Sequence, residues 1–352
     1  FLITMDALKR YFHEKWIGLA ITLVSIFVVS ILHLFGIFDV LELKSYDYRF
    51  TEVRGPLTGW AASDSTYINM GTDVVLLEVD DEAWRLMPET WPYPRGTVWA
   101  KVIRNLAQAG AKVIAFDIQF DAPETKSEYL HEFANKIDSD DLRQLIPRHG
   151  DKILAEAIRE AKAYNTEVII NAKMVNEPNR RPPQYIAEPV EEIMKAEPET
   201  GLINDQLDDD AFSRRYAIFG EMSHQPGRYY LTLGVKAVKL FLGISDTTIP
   251  RFDPGNHIWN YGDLKIQAYG NSNTFLVNYY GPASGYKLQT EEDYPAWGTF
   301  PRYSLAYVID TEDVDLRDPL EDIDWMSQFL PGQIPEWIEA IENPDERQEM
   351  ME

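Results

Sequence analysis

The feature that most constrains this chain is an uncharged apolar run near its start. Residues Ile17–Phe38 read IGLAITLVSIFVVSILHLFGIF, twenty-two residues without a charged side chain. As an α-helix the run would be about 33 Å long, which is enough to cross the hydrocarbon core of a bilayer. A buried core helix would normally carry a polar stripe, and this run has almost none. We therefore predict a transmembrane helix over residues 17–38.

An uncleaved anchor fits this run better than a cleavable signal peptide. The apolar region of a signal peptide is usually about 7–15 residues long and ends at a small-residue cleavage site. The run here is longer, and Gly36-Ile37-Phe38-Asp39 offers no such site. Trp16 is suited to the interface at one end of the helix, and His33 is expected close to the interface at the other.

Basic residues predict the orientation of the helix. Lys9, Arg10 and Lys15 precede it, whereas only Lys44 follows it closely. Because basic residues favour the cytoplasmic side, residues 1–16 are expected to be a cytoplasmic stub, with everything from residue 39 onward outside.

The charge and composition exclude several classes of function. Lys and Arg number 33 against 57 Asp and Glu, so the formal net charge is −24, and we expect no nucleic-acid partner. The chain has no cysteine, which excludes disulfides, thiolate metal sites and cysteine nucleophiles. Half of the net charge, −12, falls in residues 311–352, which we interpret as an acidic tail or an insertion.

Residues 73–310 predict an α/β domain, joined to the anchor by a stalk and loop over residues 39–72. Strand and helix patterns alternate, and near-continuous aliphatic strands between helices indicate a mostly parallel central sheet covered on both faces. A charged segment at residues 121–150 is interpreted as an insertion. The predicted strands are Val74–Val79, Lys112–Ile118, Glu167–Val175 and Thr274–Pro282, and the predicted helices are Gly96–Gln108, Asp151–Tyr164 and Tyr230–Phe241. Gly110 is expected to end the first of these helices.

Several segments together resemble the second type of CHASE domain, the cyclase and histidine-kinase associated extracellular sensing domain of bacterial membrane receptors. They are LELKSYDYRF, VVLLEVDDEAW, WPYPRGTVWAKVIRNLAQAGAKVIAFDIQF, GLIND with a later SRRY, and FLVNYYGP with TFPRYSLAYVI. The similarity covers about residues 17–310. It implies a sensor outside the bacterial inner membrane, normally followed by further transmembrane helices and a cytoplasmic cyclase or kinase. No such output domain is recognised in this chain.

Two further hypotheses stay open. A structural or assembly subunit of an envelope membrane complex is favoured by the acidic tail and the single crossing, and an extracytoplasmic hydrolase would use clustered acids. The expected partners are the lipid bilayer and either a second copy of the chain or other subunits of a membrane complex. No cofactor is expected. The sequence contains no glycine-rich phosphate loop, no HExxH and no GxSxG, so we predict neither catalytic residues nor a metal site.

Acidic residues at the ends of two predicted strands give a candidate ligand or cation site. Asp80 and Asp81 follow the first strand, and Asp117 and Asp121 lie in and after the second. Parallel strands would bring them to the sheet edge where open α/β sheets bind ligands, and carboxylate oxygens suit Mg²⁺ or Ca²⁺. The alternative is structural: these acids cap helices or pair with Arg95.

The segment Trp91-Pro92-Tyr93-Pro94-Arg95 is expected to hold an extended entry into the helix that follows it. Its Arg95 has the geometry to clamp an anionic ligand, but a structural pairing with a nearby aspartate is favoured. Within the resemblance, Trp91, Pro92, Pro94 and Arg95 form the family signature, and Asp47 and Arg49 also match it. All six are expected to be structural.

Overall fold

The structure is a computed structural model, and it describes residues 5–50, 73–124, 149–205, 210–279, 302–311 and 316–317, with residues 130, 132, 133, 136, 207 and 208. The chain divides into two compact units. The first unit is Phe1–Asp73 with Asn278–Phe300, and the second is Val74–Val277 with Pro301–Glu352. The predicted insertion at residues 121–150 and the acidic tail lie largely outside the described residues.

The first unit contains two helices, α1 (Met5–Leu34) and α2 (Ile37–Tyr48). Residues Lys15–Leu34 of α1 have a mean hydropathy of 2.5, and none of this segment is buried. Its 20 residues are long and apolar enough to cross a membrane, at about 30 Å. α1 ends at Leu34, and Gly36, with a φ of 67°, separates it from α2, so the last residues of the predicted span 17–38 lie beyond α1.

The segment expected to be a stalk is helical where it is described. α2 includes residues 39–48, so the chain leaves α1 in a second helix and not in an extended connection. Within this unit the ring of Phe50 packs edge-on against that of Tyr46, with 4.6 Å between centroids. Residues 51–72, the rest of the predicted stalk and loop, lie outside the described residues.

The second unit mixes short strands with helices. Its helices are α3 (Asp81–Leu86), a π-helical turn (Arg95–Trp99) continuing into α4 (Ala100–Gln108), α5 (Gly150–Lys162), α6 (Glu191–Met194), α7 (Leu233–Leu242) and α8 (Leu305–Ile309). Its strands are β1 (Leu76–Glu78), β2 (Val113–Ala115), β3 (Glu167–Asn176), β4 (Gln184–Ala187), β5 (Glu199–Leu202), β6 (Arg215–Ala217), β7 (Phe219–Glu221), β8 (Tyr229–Leu231), β9 (Arg251–Asp253), β10 (Ile258–Tyr261), β11 (Leu264–Gln267), β12 (Thr274–Leu276) and β13 (Arg302–Ser304).

The α/β class is confirmed, but a single mostly parallel central sheet is not. β3 pairs in parallel with β2 and β5, and it pairs antiparallel with β4 through its second half. β1 does not join this sheet; it pairs in parallel with β13 instead. The remaining strands form small antiparallel sheets, which are β6 with β12, β7 with β8, and β9 with β10 and β11.

The predicted elements from α4 to β3 are present in the structure, and their burial explains why the sequence pattern identifies them. Both faces of β3 are buried, since Ile169 and Ile170 point to opposite sides and each has 0% of its surface exposed. Ile170 belongs to the larger hydrophobic core with side chains of α4 and α5, and α7 packs on the same sheet. Gly110 ends α4 as predicted, with a φ of 86°.

Two later elements differ from their predictions. The predicted helix Tyr230–Phe241 begins only at Leu233, because Tyr229–Leu231 pairs as β8 with β7. The predicted strand Thr274–Pro282 is a strand only over Thr274–Leu276, where it pairs with β6. A second, smaller core lies in this part of the unit and includes Ile218 and Tyr261.

Candidate functional site

Arg95 is the centre of a buried polar junction. It is the first residue of the π-helical turn, held in place by the extended backbone of Pro94. Its Nη1 lies 2.5 Å from Oδ1 of Asp151, and the side chains of Arg95 and Asp151 are only 11% and 3% exposed. Its Nη2 donates to the carbonyl oxygen of Ala122 at 2.7 Å. Arg95 therefore has the structural pairing that was favoured, but its partner is Asp151 and not Asp80, Asp81 or Asp117.

A loop residue closes this junction from the other side. Oε1 of Glu124 accepts from the backbone N–H of Arg95 at 2.7 Å, and the backbone N–H of Glu124 lies 3.4 Å from Oδ2 of Asp151. Asp151 stands in the first turn of α5, where the helix dipole favours a carboxylate. The junction thus ties the start of the α4 region, the start of α5 and the loop at residues 122–124 together.

The WPYPR segment forms one wall of an aromatic cleft beside Arg95. The cavity has a volume of about 410 Å³ and is lined by Trp91, Pro92, Tyr93, Trp99 and Phe120, among others. Trp99 is buried and its Nε1 donates to the carbonyl oxygen of Tyr93 at 3.1 Å. The guanidinium of Arg95 lies 5.0 Å from the ring centre of Phe120. Because the guanidinium is already paired with Asp151, this cleft offers a ligand mainly aromatic surface.

The four acids predicted at the sheet edge have separate surroundings. Oδ1 of Asp80 accepts from the backbone N–H of Ala83 at 2.8 Å, which caps α3, and from Oγ of Ser304 at 2.7 Å. Asp81, Asp117 and Asp121 are exposed. Among the residues that the structure describes, no group of three or more His, Asp or Glu side chains is arranged to hold a metal ion. Asp80 thus has the helix-capping contact of the structural interpretation, while ligand binding by these acids stays a prediction.

The residues predicted near the membrane are all in the first unit. Trp16 is 67% exposed and His33 is exposed on α1. Asp47 is half-buried on α2, and Arg49 follows the helix, with its Nε donating to the carbonyl oxygen of Ser45 at 3.3 Å. The guanidinium of Arg49 lies 5.8 Å from the ring centre of Tyr46.

The SRRY segment forms a second ion-pair network with two acids that lie between it and GLIND. Arg214, with a side chain 4% exposed, contacts Asp208 at 3.0 Å and Asp210 at 2.8 Å. Arg215 also reaches Asp208, at 2.5 Å. The amide of Asn204 bonds both the N–H and the carbonyl oxygen of Met174 on β3. The bidentate bond from Arg214 lowers the pKa of Asp210 to about 2.

A cleft that the sequence analysis did not identify lies between β4, β5, β8 and α7. We call it the lysine cleft, because Lys236 and Lys239 of α7 line it. Its volume is about 360 Å³. Nζ of Lys236 lies 2.7 Å from Oε2 of Glu199, and Lys239 bonds Asp246 in the loop after α7. The sequence carried one signal of this site: two lysines three residues apart in the otherwise apolar helix LGVKAVKLFL.

Tyr261 lies at the wall of the lysine cleft and is 2% exposed. Burial raises the pKa of its phenol to about 12, and the carboxylates of Asp246 and Glu199 add to the shift. The hydroxyl is therefore neutral at physiological pH and able to donate a hydrogen bond.

Comparison with known proteins assigns the chain to a family. No curated protein and no solved structure matches the chain. The family model described as the CHASE2 domain matches residues 21–326, which is most of the chain and agrees with the resemblance stated above. CHASE2 is an extracellular sensory domain of signalling receptors and not a catalytic domain. On the strength of this match, the chain belongs to the CHASE2 domain family.

Proposed function

We propose that this chain is the membrane-anchored, extracytoplasmic sensor region of a bacterial signalling receptor in the inner membrane. The observation that carries the proposal is the combination, in one chain, of a CHASE2 match with a helix whose apolar side chains have no protein cover. Val24 and Val28 of this helix are 61% and 46% exposed, for example. Such a surface is unfavourable in water and favourable in lipid.

In the proposed orientation, the N-terminal end of α1 lies in the cytoplasm. Three basic residues, Lys9, Arg10 and Lys15, stand before the apolar segment, against Lys44 shortly after it. The basic side of a membrane helix is normally cytoplasmic, so the second unit would lie outside the cytoplasm. An extracellular sensory family supports the same placement.

The output of the receptor is proposed to lie outside residues 1–352, in a cyclase or kinase that the sensor controls. The receptor would work as a homodimer in the membrane. A stimulus would shift the population between two arrangements of the sensor, which requires a ligand with different affinities for the two.

Extraction from membranes tests the anchor. We expect the full chain to stay in the membrane pellet in alkaline carbonate, and the double variant Val24→Lys/Val28→Lys to be released. Each lysine near the middle of a membrane helix costs about 2.5–3.5 kcal/mol of insertion free energy. The matched control, Val74→Lys/Val75→Lys, changes two valines of the second unit that are each 53% exposed. It should stay in the pellet.

Release of the unmodified chain by carbonate would contradict the proposed anchor. Retention of the Val24→Lys/Val28→Lys variant in the pellet, as for the unmodified chain, would contradict it too.

A further inference from the structure

The charges of the lysine cleft differ in how deeply they are buried. The side chains of Lys239 and Lys236 are 5% and 16% exposed. Their partners Asp246 and Glu199 are 84% and 30% exposed. Arg228 and Glu188 also line the cleft, and both are exposed. The two most buried charges among these six are therefore both cations.

This difference in burial favours a ligand with a negative charge. A cation entering it would meet the buried ammonium group of Lys239, and leaving two like charges together away from water is costly. An anion would take the place of Asp246 against Lys239. Asp246 loses little solvation by leaving Lys239, because its side chain is 84% exposed, and the carboxylate of the ligand takes over the charge partner of the buried ammonium.

The rest of the lining indicates an organic anion. Apolar and aromatic side chains surround the lysines, among them Ile186, Leu202, Leu231 and Tyr230. Tyr261 also lines the cleft, and its neutral hydroxyl is a hydrogen-bond donor. A cavity of about 360 Å³ is at the small end of the size range of ligand pockets, and its lining combines apolar side chains with polar and charged ones.

We propose that the lysine cleft is the ligand site of this sensor and takes a small organic monocarboxylate with a short apolar body. The carboxylate pairs with Lys239 in place of Asp246, and the apolar body lies against the walls formed by β4, β5 and β8. The site rests on the proposed sensor function for its biological purpose, but its binding chemistry does not depend on how the chain is placed in the membrane.

Asp246 acts in this account as an internal competitor for Lys239. Removing its charge frees the ammonium group for the ligand, so Asp246→Asn should bind the carboxylate more tightly, by up to about fivefold. A gain of affinity is informative because misfolding does not produce it. If the pair of Lys239 and Asp246 served stability alone, the same substitution would leave binding unchanged or weaken it.

The test is a titration of the full chain in lipid nanodiscs with hexanoate, followed by the thermal midpoint of the second unit and by calorimetry. Hexanoate should bind saturably, whereas hexanamide, of the same shape without the charge, should not. Sulfate should bind more weakly than hexanoate, since it gains nothing from the apolar walls. Lys239→Met should weaken hexanoate binding at least about tenfold, because a charge-assisted hydrogen bond is lost.

The matched control is Lys195→Met, which removes a lysine that is 54% exposed and paired with Glu192 on the surface. It should leave the affinity for hexanoate unchanged. The proposal is overturned by absence of saturable hexanoate binding, by equal binding of hexanamide or sulfate, or by unchanged or lowered affinity for hexanoate in Asp246→Asn. A chain that binds hexanoate as described but is released by carbonate would support this site while contradicting the membrane anchor.

Discussion

Arg95 and Asp151 form a salt bridge of 2.5 Å, although 56 residues separate them in the sequence. A second pair, Arg104 and Glu160, joins the same two helical segments at 2.5 Å and the same sequence separation. The two pairs differ in burial. The side chains of the first are 11% and 3% exposed, and those of the second are 30% and 51% exposed. They therefore form a matched comparison within one structure.

Breaking the buried pair should destabilise the second unit strongly. Asp151→Asn leaves the guanidinium of Arg95 without its charge partner, and we expect a loss of about 3–5 kcal/mol in unfolding free energy. Glu160→Gln should cost about 0–1 kcal/mol, since exposed pairs contribute little. Denaturant unfolding of the full chain in nanodiscs measures both. Equal losses in the two variants would contradict a special role of the Arg95 junction.

Asp80 gives a test of the structural interpretation of the acidic residues. It caps α3 and holds Ser304 of β13, so Asp80→Ala should lower the unfolding free energy by about 0.5–2 kcal/mol. Asp117→Ala removes an exposed carboxylate and should change the unfolding free energy by less than about 0.5 kcal/mol. The same unfolding experiment applies. A larger loss of unfolding free energy for Asp117→Ala than for Asp80→Ala would contradict the structural interpretation, in which Asp80 stabilises the fold as a helix cap.

The network of Arg214 predicts a particular acid sensitivity. Because the Arg214 bond lowers the pKa of Asp210 from 3.8 to about 2, the folded state binds this proton less readily than the unfolded state. The resulting stabilisation is present above pH 3.8 and is lost as the pH falls towards about 2. The difference in unfolding free energy between the unmodified chain and Asp210→Asn should therefore shrink over that interval. A difference that stays constant from pH 5 to pH 2 would contradict this assignment.

The parts of the fold that local pattern predicts well are those whose partners are close in the sequence. α4, β2, α5 and β3 follow one another in the larger core, and periodicity of apolar residues identifies each of them. β1 was expected in the same sheet, but its partner is β13, more than two hundred residues later. A strand pairing over such a distance leaves no signal in a single sequence.

The candidate site shows the same limit. Arg95 was identified from its entry segment, yet its partner Asp151 lies beyond a charged segment whose path the sequence does not define. Two residues of β8, Tyr230 and Leu231, fall in the predicted helix Tyr230–Phe241, and only pairing with β7 makes them a strand. The lysine cleft combines residues of five strands, α7 and a loop, so the two lysines of α7 alone are not sufficient to predict it.

The most direct test of the central claim is the side of the membrane on which the second unit lies. The chain has no cysteine, so single cysteines are unambiguous reporters. We would label Glu177→Cys, an exposed position of the second unit, and Thr4→Cys, before the apolar helix, with a membrane-impermeant maleimide in intact spheroplasts. An extracytoplasmic sensor predicts labelling of Glu177→Cys alone, with Thr4→Cys labelled only after the membrane is opened. Labelling of Thr4→Cys in intact spheroplasts while Glu177→Cys stays protected would contradict it.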